Sequence, residues 1–341
     1  IWLMRNRDYR IFAGDFETTV YKGQVATEVW ASACVELFTE DVHVFHSINE
    51  LYEYMKSLKC NIRCYFHNLK FDGSFWISYL LNELHYEEAY EGDLTEGEFL
   101  RDYKMKPHTF KYMISDMGQW YTITIRTSYN IIQMRDSLKL LPFSLERIGK
   151  AFNTKHKKLT MEYKGLRYAN CPISPEEREY IANDVLVLKE ALEFMFSEGH
   201  SKLTIGSCCL DEFKHTLLLS DDWANLYPNL YDLEIDEEQY GSKNAGEYIR
   251  KSYRGGWCYV AKGKELQIKH NGCTADVNSL YPSMMSSESG NYFPLGYPIF
   301  FKGDIPEAAL KNNKYYFIRF KARFKIKKNK LPFVQIKNTF A

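Results

Sequence analysis

Residues 10–19 read Arg10-Ile-Phe-Ala-Gly-Asp-Phe-Glu-Thr-Thr19, an apolar run that ends in two acids. An apolar run of this length is typical of a buried strand, and i, i+2 spacing on a strand places Asp15 and Glu17 on the same face. Acid-x-acid pairs are common by chance in a chain with 44 acids, so the pair alone identifies no site. Its position at the end of a strand makes it a candidate for chemistry.

A second candidate group of polar residues lies between a predicted strand and a predicted helix. Candidate strands lie at Tyr9 to Phe16, Trp30 to Leu37, Ile62 to Phe66 and Tyr121 to Arg126, and helical spacing of apolar residues runs from Lys70 to Leu84. Strands followed by helices predict an α/β first domain. Asp72 falls near the start of that helix, where an acid caps a helix as readily as it serves a site. His67 and Asn68 precede Asp72. His67 is typical of a structural or substrate-contacting imidazole, and Asn68 is typical of a turn amide.

A third pattern lies on a helix with a readable start. Ser174-Pro-Glu-Glu177 has the residues of an N-cap, a first-turn Pro and a capping box, and Gly199 is a plausible stop. Tyr180 and Asp184, four residues apart, share one face of this helix. By themselves they are as easily a surface pair.

Composition limits the function classes. The chain has 341 residues, with 44 Lys+Arg and 44 Asp+Glu, so a uniformly basic DNA-coating protein is excluded but a local basic groove is not. Its length predicts about two domains. No run of about 18 apolar residues predicts a membrane span. The first residue, Ile1, and the uncapped Phe340-Ala341 suggest a piece of a longer protein.

Charge is unevenly distributed. The segment from Glu83 to Asp102 has eight acids and one Arg, which favours a solvated loop. The segment from Lys311 to Ala341 has ten Lys/Arg and no acid, and apolar and cationic residues alternate from Ile318 to Lys327. This alternation predicts a strand, either an edge strand protected by Lys or a polyanion-facing surface.

Taken together, the three patterns resemble, in order, the motifs of DEDD-type 3′–5′ exonucleases, as found in the proofreading domain of family B DNA polymerases. The resemblance implies a ribonuclease H-like α/β domain with a mixed sheet. It implies that Asp15, Glu17, Asp72 and Asp184 hold two Mg²⁺ ions, for which Mn²⁺ can substitute, and that Tyr180 orients the attacking water. Asp136-Ser137-Leu138 resembles the segment that grips single-stranded primer ends, and Lys164 resembles the lysine on the scissile phosphate.

A later segment resembles the polymerase part of the same family. Tyr253-Arg-Gly255-Gly256 resembles the Tyr-x-Gly-Gly motif that contacts template, although such glycines also suit a tight turn. Asp276-Val-Asn-Ser-Leu-Tyr281-Pro-Ser283 resembles polymerase motif A. The resemblance implies that Asp276 and the Val277 carbonyl bind Mg²⁺, and that Ser279, Leu280 and Tyr281 contact the nucleotide. Tyr281 would exclude the 2′-hydroxyl.

The whole pattern is most similar to the protein-primed polymerases of small tailed phages and linear plasmids. It implies primer-template DNA, deoxynucleotides and a priming terminal protein as partners, a monomer, and the host cytoplasm if a phage encodes the chain. Further DNA ligands are implied in the exonuclease region: Thr18, Tyr65, His67, Asn68, Phe71, Phe75, Ser137 and Leu138.

The expected organisation is an exonuclease domain over 1–205, the opening of an α+β palm over 206–288, and the start of a terminal-protein insertion over 289–341. The later polymerase motifs, including an Asp-Thr-Asp, are absent from this sequence. Two alternatives stay open: a free-standing exonuclease of the same type, and a non-catalytic module that binds single-stranded DNA or terminal protein.

Overall fold

A computed structural model describes residues 9–19, 21, 23–89, 100–161, 166–216, 222–256, 258, 260, 263–304, 307, 315–321, 323–325, 327–328 and 330. The chain divides into two compact units, Ile1–Phe213 and Lys214–Ala341. The first unit extends eight residues beyond the predicted end of the exonuclease domain at residue 205.

The first unit is built on one mixed sheet of eight strands. Their order across the sheet is β3-β2-β1-β4-β8-β7-β6-β5. β1 is parallel to β4, β4 to β8 and β5 to β6, and the other neighbouring pairs are antiparallel. The strands are β1 (Tyr9–Thr18), β2 (Val29–Glu36), β3 (Val42–Phe45), β4 (Asn61–Phe66), β5 (Glu87–Glu88), β6 (Thr109–Ile114), β7 (Trp120–Arg126) and β8 (Ile131–Asp136).

Helices flank this sheet. In the first unit they are α1 (Ile48–Ser57), α2 (Leu69–Asn82), α3 (Leu145–Ala151), α4 (Pro175–Ser197) and α5 (Ile205–Thr216), which reaches the boundary between the units. Short 3₁₀ turns lie at Asp102–Lys104 and Ser137–Lys139. The mixed sheet with flanking helices is the ribonuclease H-like α/β fold that the sequence predicts.

The two faces of β1 pack into different cores. Phe12 and Phe16 join a cluster with residues of α1 and α2, while Ala13 joins a second cluster with residues of α4. Gly14 lies on the same face as Phe12 and Phe16, where an added Cβ would come within 2.8 Å of Cys64 Sγ on β4. A larger residue there would displace the packed side chains of Cys64 and Phe66. Because Asp15 lies on the same face as Ala13, it points toward the α4 side of the sheet.

α4 begins where the sequence predicts. The Ser174 side chain accepts from the Glu177 amide at 3.2 Å, and the Glu177 carboxylate accepts from the Ser174 amide at 2.9 Å. This capping box, together with Pro175 at the first turn, fixes the first turn of the helix. Tyr180 and Asp184 follow one and two turns later. The position of the cap therefore sets the position of both site residues.

The second unit contains short helices. They are α6 (Trp223–Leu226), α7 (Glu237–Tyr240), α8 (Ala245–Arg250) and α9 (Leu280–Met285), with a 3₁₀ turn at Ser287–Ser289. Its described residues form one isolated bridge, between Glu234 and Asn244, and no β-sheet. The strand predicted over Ile318 to Lys327 was wrong for the residues described there, since none of them lies in a strand. Alternation of apolar and cationic residues gives a segment one apolar face. A β-strand also needs a neighbouring strand with which to form backbone hydrogen bonds.

Candidate active site

Three carboxylates meet where β1 ends beside α4. Asp15 and Glu17 project from the last residues of β1, and Asp184 projects from the third turn of α4. One oxygen of each lies within 4.8 Å of one oxygen of the other two. This arrangement brings together residues that are far apart in the chain, as the sequence patterns predict.

Asp72 is the fourth carboxyl group near the cluster. It lies in the first turn of α2 and is 3% exposed. Removal from water raises the pKa of Asp72 to about 8, and the nearby carboxylates of Glu17 and Asp136 contribute to the rise. Backbone hydrogen bonding at the helix start opposes this shift. The interpretation of Asp72 as a simple exposed helix-cap acid does not fit its burial.

The electrostatics of the cluster are unfavourable without a cation. Desolvation raises the pKa of Asp15 well above its usual range, and Asp72, Glu17 and Asp184 raise it further. Desolvation also raises the pKa of Asp184, although Lys158 opposes this shift. Several carboxylates held this close cannot all ionise unless positive charge enters.

The donor set suits a hard divalent cation. Asp184 is 3% exposed, and its Oδ1 is buried without a hydrogen-bond partner. A buried acceptor without a partner costs free energy unless a ligand fills that position. Mg²⁺ and Mn²⁺ prefer carboxylate oxygens. Asp15, Glu17 and Asp184, with Asp72 beside them, therefore fit a site for such ions.

Lys158 supplies a positive charge to the cluster. Its Nζ lies 2.5 Å from Asp184 Oδ2, and the side chain is 35% exposed. The hydrogen bond to Asp184 raises the pKa of Lys158 even though burial lowers it. Lys164, which resembles the lysine on the scissile phosphate, lies outside the described residues and stays a prediction, whereas Lys158 was not predicted. The available signal was the basic run Lys155-His-Lys-Lys158 in the loop before the helix that carries Asp184.

Tyr180 completes the α4 side of the site. Lys158 Nζ lies 5.7 Å from the centre of the Tyr180 ring. Desolvation and the charge of Asp184 raise the pKa of the Tyr180 phenol, so the phenol keeps its proton and can donate a hydrogen bond. The i, i+4 spacing thus places Tyr180 and Asp184 on one face of α4, where Lys158 lies near both.

A second set of contacts joins the ends of β4 and β8. Asp136 Oδ1 accepts from the backbone amides of Asn68, Leu69 and Leu138 at 3.0 to 3.2 Å. Asn68 itself takes the left-handed conformation (φ 73°), which Asn tolerates better than most residues. Sequence reasoning treated Asp136 only as a neighbour of Ser137. The structure makes it the acid that fixes this corner beside the carboxylates.

His67 is held by the same corner. Its Nδ1 lies 3.0 Å from Ser137 Oγ, and its Nε2 lies 2.8 Å from the Phe143 carbonyl. Burial lowers the pKa of His67, so the ring is neutral and its Nε2–H donates to that carbonyl. Ser137 is buried, and its Oγ also lies 3.0 Å from the Phe66 carbonyl, so the one hydroxyl proton is shared between that carbonyl and His67 Nδ1. Both nitrogens of His67 therefore contact protein groups.

The residues expected to stack on DNA differ in exposure. Phe71 is 48% exposed, and its ring packs edge-on against Phe75, which is half-buried. Tyr65 is 1% exposed and its ring is covered by Phe196, so its faces are closed to a base in this conformation. The implied role of Tyr65 as a DNA ligand stays a prediction. Thr18, Leu138 and the exposed Asn68 lie close to the site in sequence.

The residues of the predicted polymerase site lie in the second unit. Tyr253 and Tyr281 are 63% and 82% exposed, and Asp276, Gly255 and Gly256 are exposed as well. Ser279 precedes α9 in a left-handed conformation (φ 51°), and Leu280 and Tyr281 begin the helix. Val277 is 60% exposed. Within the described part of the chain, the one group of three or more side chains close enough to hold a metal is Asp15, Glu17 and Asp184, and Asp276 belongs to no such group.

A family model of type B DNA polymerases, organellar and viral, matches residues 53–174 and 169–340. The chain belongs to this family. Among similar type B polymerases, the DNA polymerase of Bacillus phage B103 is 34% identical over 339 residues, covering 96% of this chain and 52% of the relative. The DNA polymerase of Bacillus phage phi29 is 32% identical over 343 residues, covering 98% and 53%. That of Streptococcus phage Cp-1 is 31% identical over 348 residues, covering 96% and 53%.

Solved structures of this polymerase family match as well. Phi29 DNA polymerase complexed with single-stranded DNA has a TM-score of 0.59 and 28% identity, covering 74% of this chain and 41% of that one. The same polymerase with primer-template DNA and incoming nucleotides has a TM-score of 0.59, covering 74% and 40%. The chain spans about half the length of the curated relatives it matches. No helix among the described residues is long and apolar enough to cross a membrane.

Proposed function

We propose that the first unit is a 3′–5′ exonuclease that uses divalent metal ions to remove nucleotides from single-stranded DNA. The observation that carries this proposal is the cluster of Asp15, Glu17 and Asp184, in which the buried Oδ1 of Asp184 lacks a hydrogen-bond partner. Two divalent ions held by such carboxylates supply an activated water and stabilise the leaving oxyanion in phosphodiester cleavage. Asp72 would complete the ligand set.

The protein's own groups divide the remaining work. Lys158, beside Asp184, places a cation where a scissile phosphate would approach, and it offsets the charge that develops on the phosphate oxygens. Tyr180 keeps its phenolic proton and can donate to the attacking water or to a phosphate oxygen. The exposed ring of Phe71 can stack on a base without sequence preference.

The test is nuclease activity on a 5′-labelled oligonucleotide with Mg²⁺ or Mn²⁺. The double variant Asp15→Ala/Glu17→Ala should lose activity by orders of magnitude, because both changes remove candidate metal ligands. Asp41→Ala/Glu53→Ala is a matched control, since it removes two partly or fully exposed acids outside the cluster. Near-full activity in the Asp15/Glu17 variant would refute the assignment. Duplex DNA should be degraded more slowly, because its end must unpair first.

We also propose that the complete protein is a protein-primed DNA polymerase acting in the host cytoplasm. The support is the family membership together with the segment Asp276 to Ser283 and its resemblance to motif A. Primer-template DNA and deoxynucleotides would be its substrates, as the titles of the phi29 structures name for that enzyme. A terminal protein and a monomeric state are supported by the resemblance alone.

Two other functions are separated by simple observations. A free-standing exonuclease would have no use for a Tyr281 that contacts the sugar. If replacing Tyr281 in a complete polymerase abolishes the discrimination between deoxynucleotides and ribonucleotides, the free-standing exonuclease is excluded. A non-catalytic module that binds single-stranded DNA or terminal protein would tolerate loss of the carboxylates. The four acids near one another and Lys158 on Asp184 favour catalysis over binding alone.

A further inference from the structure

Glu190 on α4 binds the loop that carries Lys158. Its Oε2 accepts from the backbone amides of Lys155, at 2.5 Å, and His156, at 3.3 Å. Its Oε1 lies 2.5 Å from Nδ1 of His156. Because a carboxylate only accepts, His156 carries its proton on Nδ1 in this contact. One half-buried side chain thus receives three hydrogen bonds from two consecutive residues of the loop.

The distances along α4 connect this contact to the site. Glu190 follows Asp184 by six residues, which is about 9 Å along a helix. Three residues separate Lys155 from Lys158, and an extended chain covers about 10 Å in three residues. The loop is therefore attached to α4 at two nearby points, at Glu190 through its backbone and at Asp184 through the Lys158 side chain. A change at Glu190 can thus be passed along the loop to Lys158.

The start of the loop is attached to α3. Thr154 is buried, its amide donates to the Gly149 carbonyl at 3.2 Å, and its hydroxyl donates to the His156 carbonyl at 2.6 Å. The Phe152 ring packs edge-on against Phe194 of α4, with centroids 5.4 Å apart. These contacts fix where the loop leaves α3. Lys157 Nζ also donates to the Gly149 carbonyl at 3.1 Å, so the loop is held to α3 on one side and, through Glu190, to α4 on the other.

From this geometry we infer that Glu190, acting with His156, is a positioning residue that holds Lys158 against Asp184 and the scissile phosphate. The inference rests on the exonuclease function proposed above. Among the described residues, Glu190 bonds Lys155 and His156 and none of the candidate metal ligands, so its effect on the reaction passes through Lys158. A misplacement of about 1 Å in a catalytic group can cost about 100-fold in rate.

The experiment compares single-turnover exonuclease rates of the full chain and its variants on single-stranded DNA. Glu190→Ala should lower the cleavage rate about 10- to 100-fold with less than about a twofold change in DNA affinity measured in Ca²⁺. Glu190→Gln should recover part of the rate, because its amide oxygen still accepts a backbone N–H. The matched control is Glu193→Ala. Glu193 lies on the same helix but bonds the Phe38 amide and Lys189 instead of the loop.

A double-variant cycle separates positioning from a general structural role. In a Lys158→Ala background, adding Glu190→Ala should change the rate by less than about twofold, because the group that Glu190 positions is already gone. Additive losses would overturn the inference. Hydrogen exchange measured without metal gives a second test. Glu190→Ala should speed exchange at the Lys155 and His156 amides by at least about tenfold, and Glu193→Ala should leave the exchange rates of those amides unchanged.

The outcomes also distinguish this inference from the proposed function. If the unaltered chain cleaves no DNA, the exonuclease proposal fails. If the chain cleaves DNA and Lys158→Ala is impaired while Glu190→Ala cleaves at the normal rate, the positioning inference alone fails. Unchanged amide exchange in Glu190→Ala would overturn it as well.

Discussion

At the scale of single residues, the identity of the lysine in the site can be decided by substitution. Lys158→Met should lower the exonuclease rate about 100-fold or more, since it removes a cation bonded to Asp184 and keeps the side-chain bulk. Lys150→Met is the matched control and should change the rate by less than about twofold, because Lys150 is exposed on α3. Single-turnover cleavage at saturating Mg²⁺ measures both variants and Lys164→Met beside them. A larger loss in Lys164→Met than in Lys158→Met would show that Lys164, the residue favoured by sequence alone, contacts the scissile phosphate.

A second residue-scale prediction concerns pH and the carboxyl group of Asp72. The pKa of Asp72 is about 8 in the folded chain, above its ordinary value of 3.8, so the folded state binds this proton more tightly than the unfolded state. Stability is then greatest below the lower value and falls as pH rises through the higher one. In EDTA, the melting temperature should fall between pH 5 and pH 8.5, and Asp15 acts in the same direction.

Two comparisons isolate this effect. Asp72→Asn should flatten the fall in melting temperature, because the amide does not titrate. Saturating Mg²⁺ should also reduce the fall in the unaltered chain, since a cation that binds the ionised carboxylates stabilises the folded state at high pH. A fall of the same size in the Asp72→Asn chain would show that other groups cause it.

At the scale of elements, Asp136 joins the end of β4 and the start of α2 to the turn after β8 through three backbone N–H groups. Asp136→Ala should lower the free energy of unfolding by about 3 kcal/mol, because buried donors lose a charged acceptor. Urea denaturation measures the change. The exposed Asp116 provides the control, and Asp116→Ala should change stability by less than about 0.5 kcal/mol. Equal effects would show that Asp136 does not hold this corner.

The elements that the sequence predicts well are those with a local cause. The capping box at Ser174 and the apolar runs of β1, β2, β4 and β7 place those elements within two residues of their observed bounds. β3, β6 and β8 were not predicted, because their patterns are short or lack clear alternation. The alternating segment from Ile318 shows the converse: a local pattern without a described partner strand forms no strand.

The candidate site divides in the same way. Strand and helix periodicity places Asp15 with Glu17 and Tyr180 with Asp184 on shared faces, and the resemblance of the ordered patterns to DEDD-type exonucleases identified them as site residues. Lys158, Asp136 and Glu190 were missed because their roles depend on contacts between segments 26 to 68 residues apart. No periodicity in one segment reveals such contacts. The burial of Tyr65 likewise depends on Phe196, which is far away in the chain.

At the scale of the whole molecule, the two units differ in how completely they could supply a two-metal site. The first brings Asp15, Glu17 and Asp184 together with Asp72 nearby, whereas Asp276 of the second belongs to no group of three or more metal-ligand side chains among the described residues. Phosphoryl transfer depends almost wholly on positioning and on metal charge. A single carboxylate does not fix two ions.

The 341-residue chain should therefore shorten a primer but not extend it. On a primer-template with all four deoxynucleotides and Mg²⁺, the expected products are only shorter than the starting primer, and Asp15→Ala/Glu17→Ala should leave the primer unchanged in length. Asp276→Ala should shorten the primer as fast as the unaltered chain, because Asp276 does not belong to the first unit. Products longer than the primer that depend on the template would contradict the prediction. Their loss in Asp276→Ala would then show that this unit holds its metals with ligands other than neighbouring carboxylates.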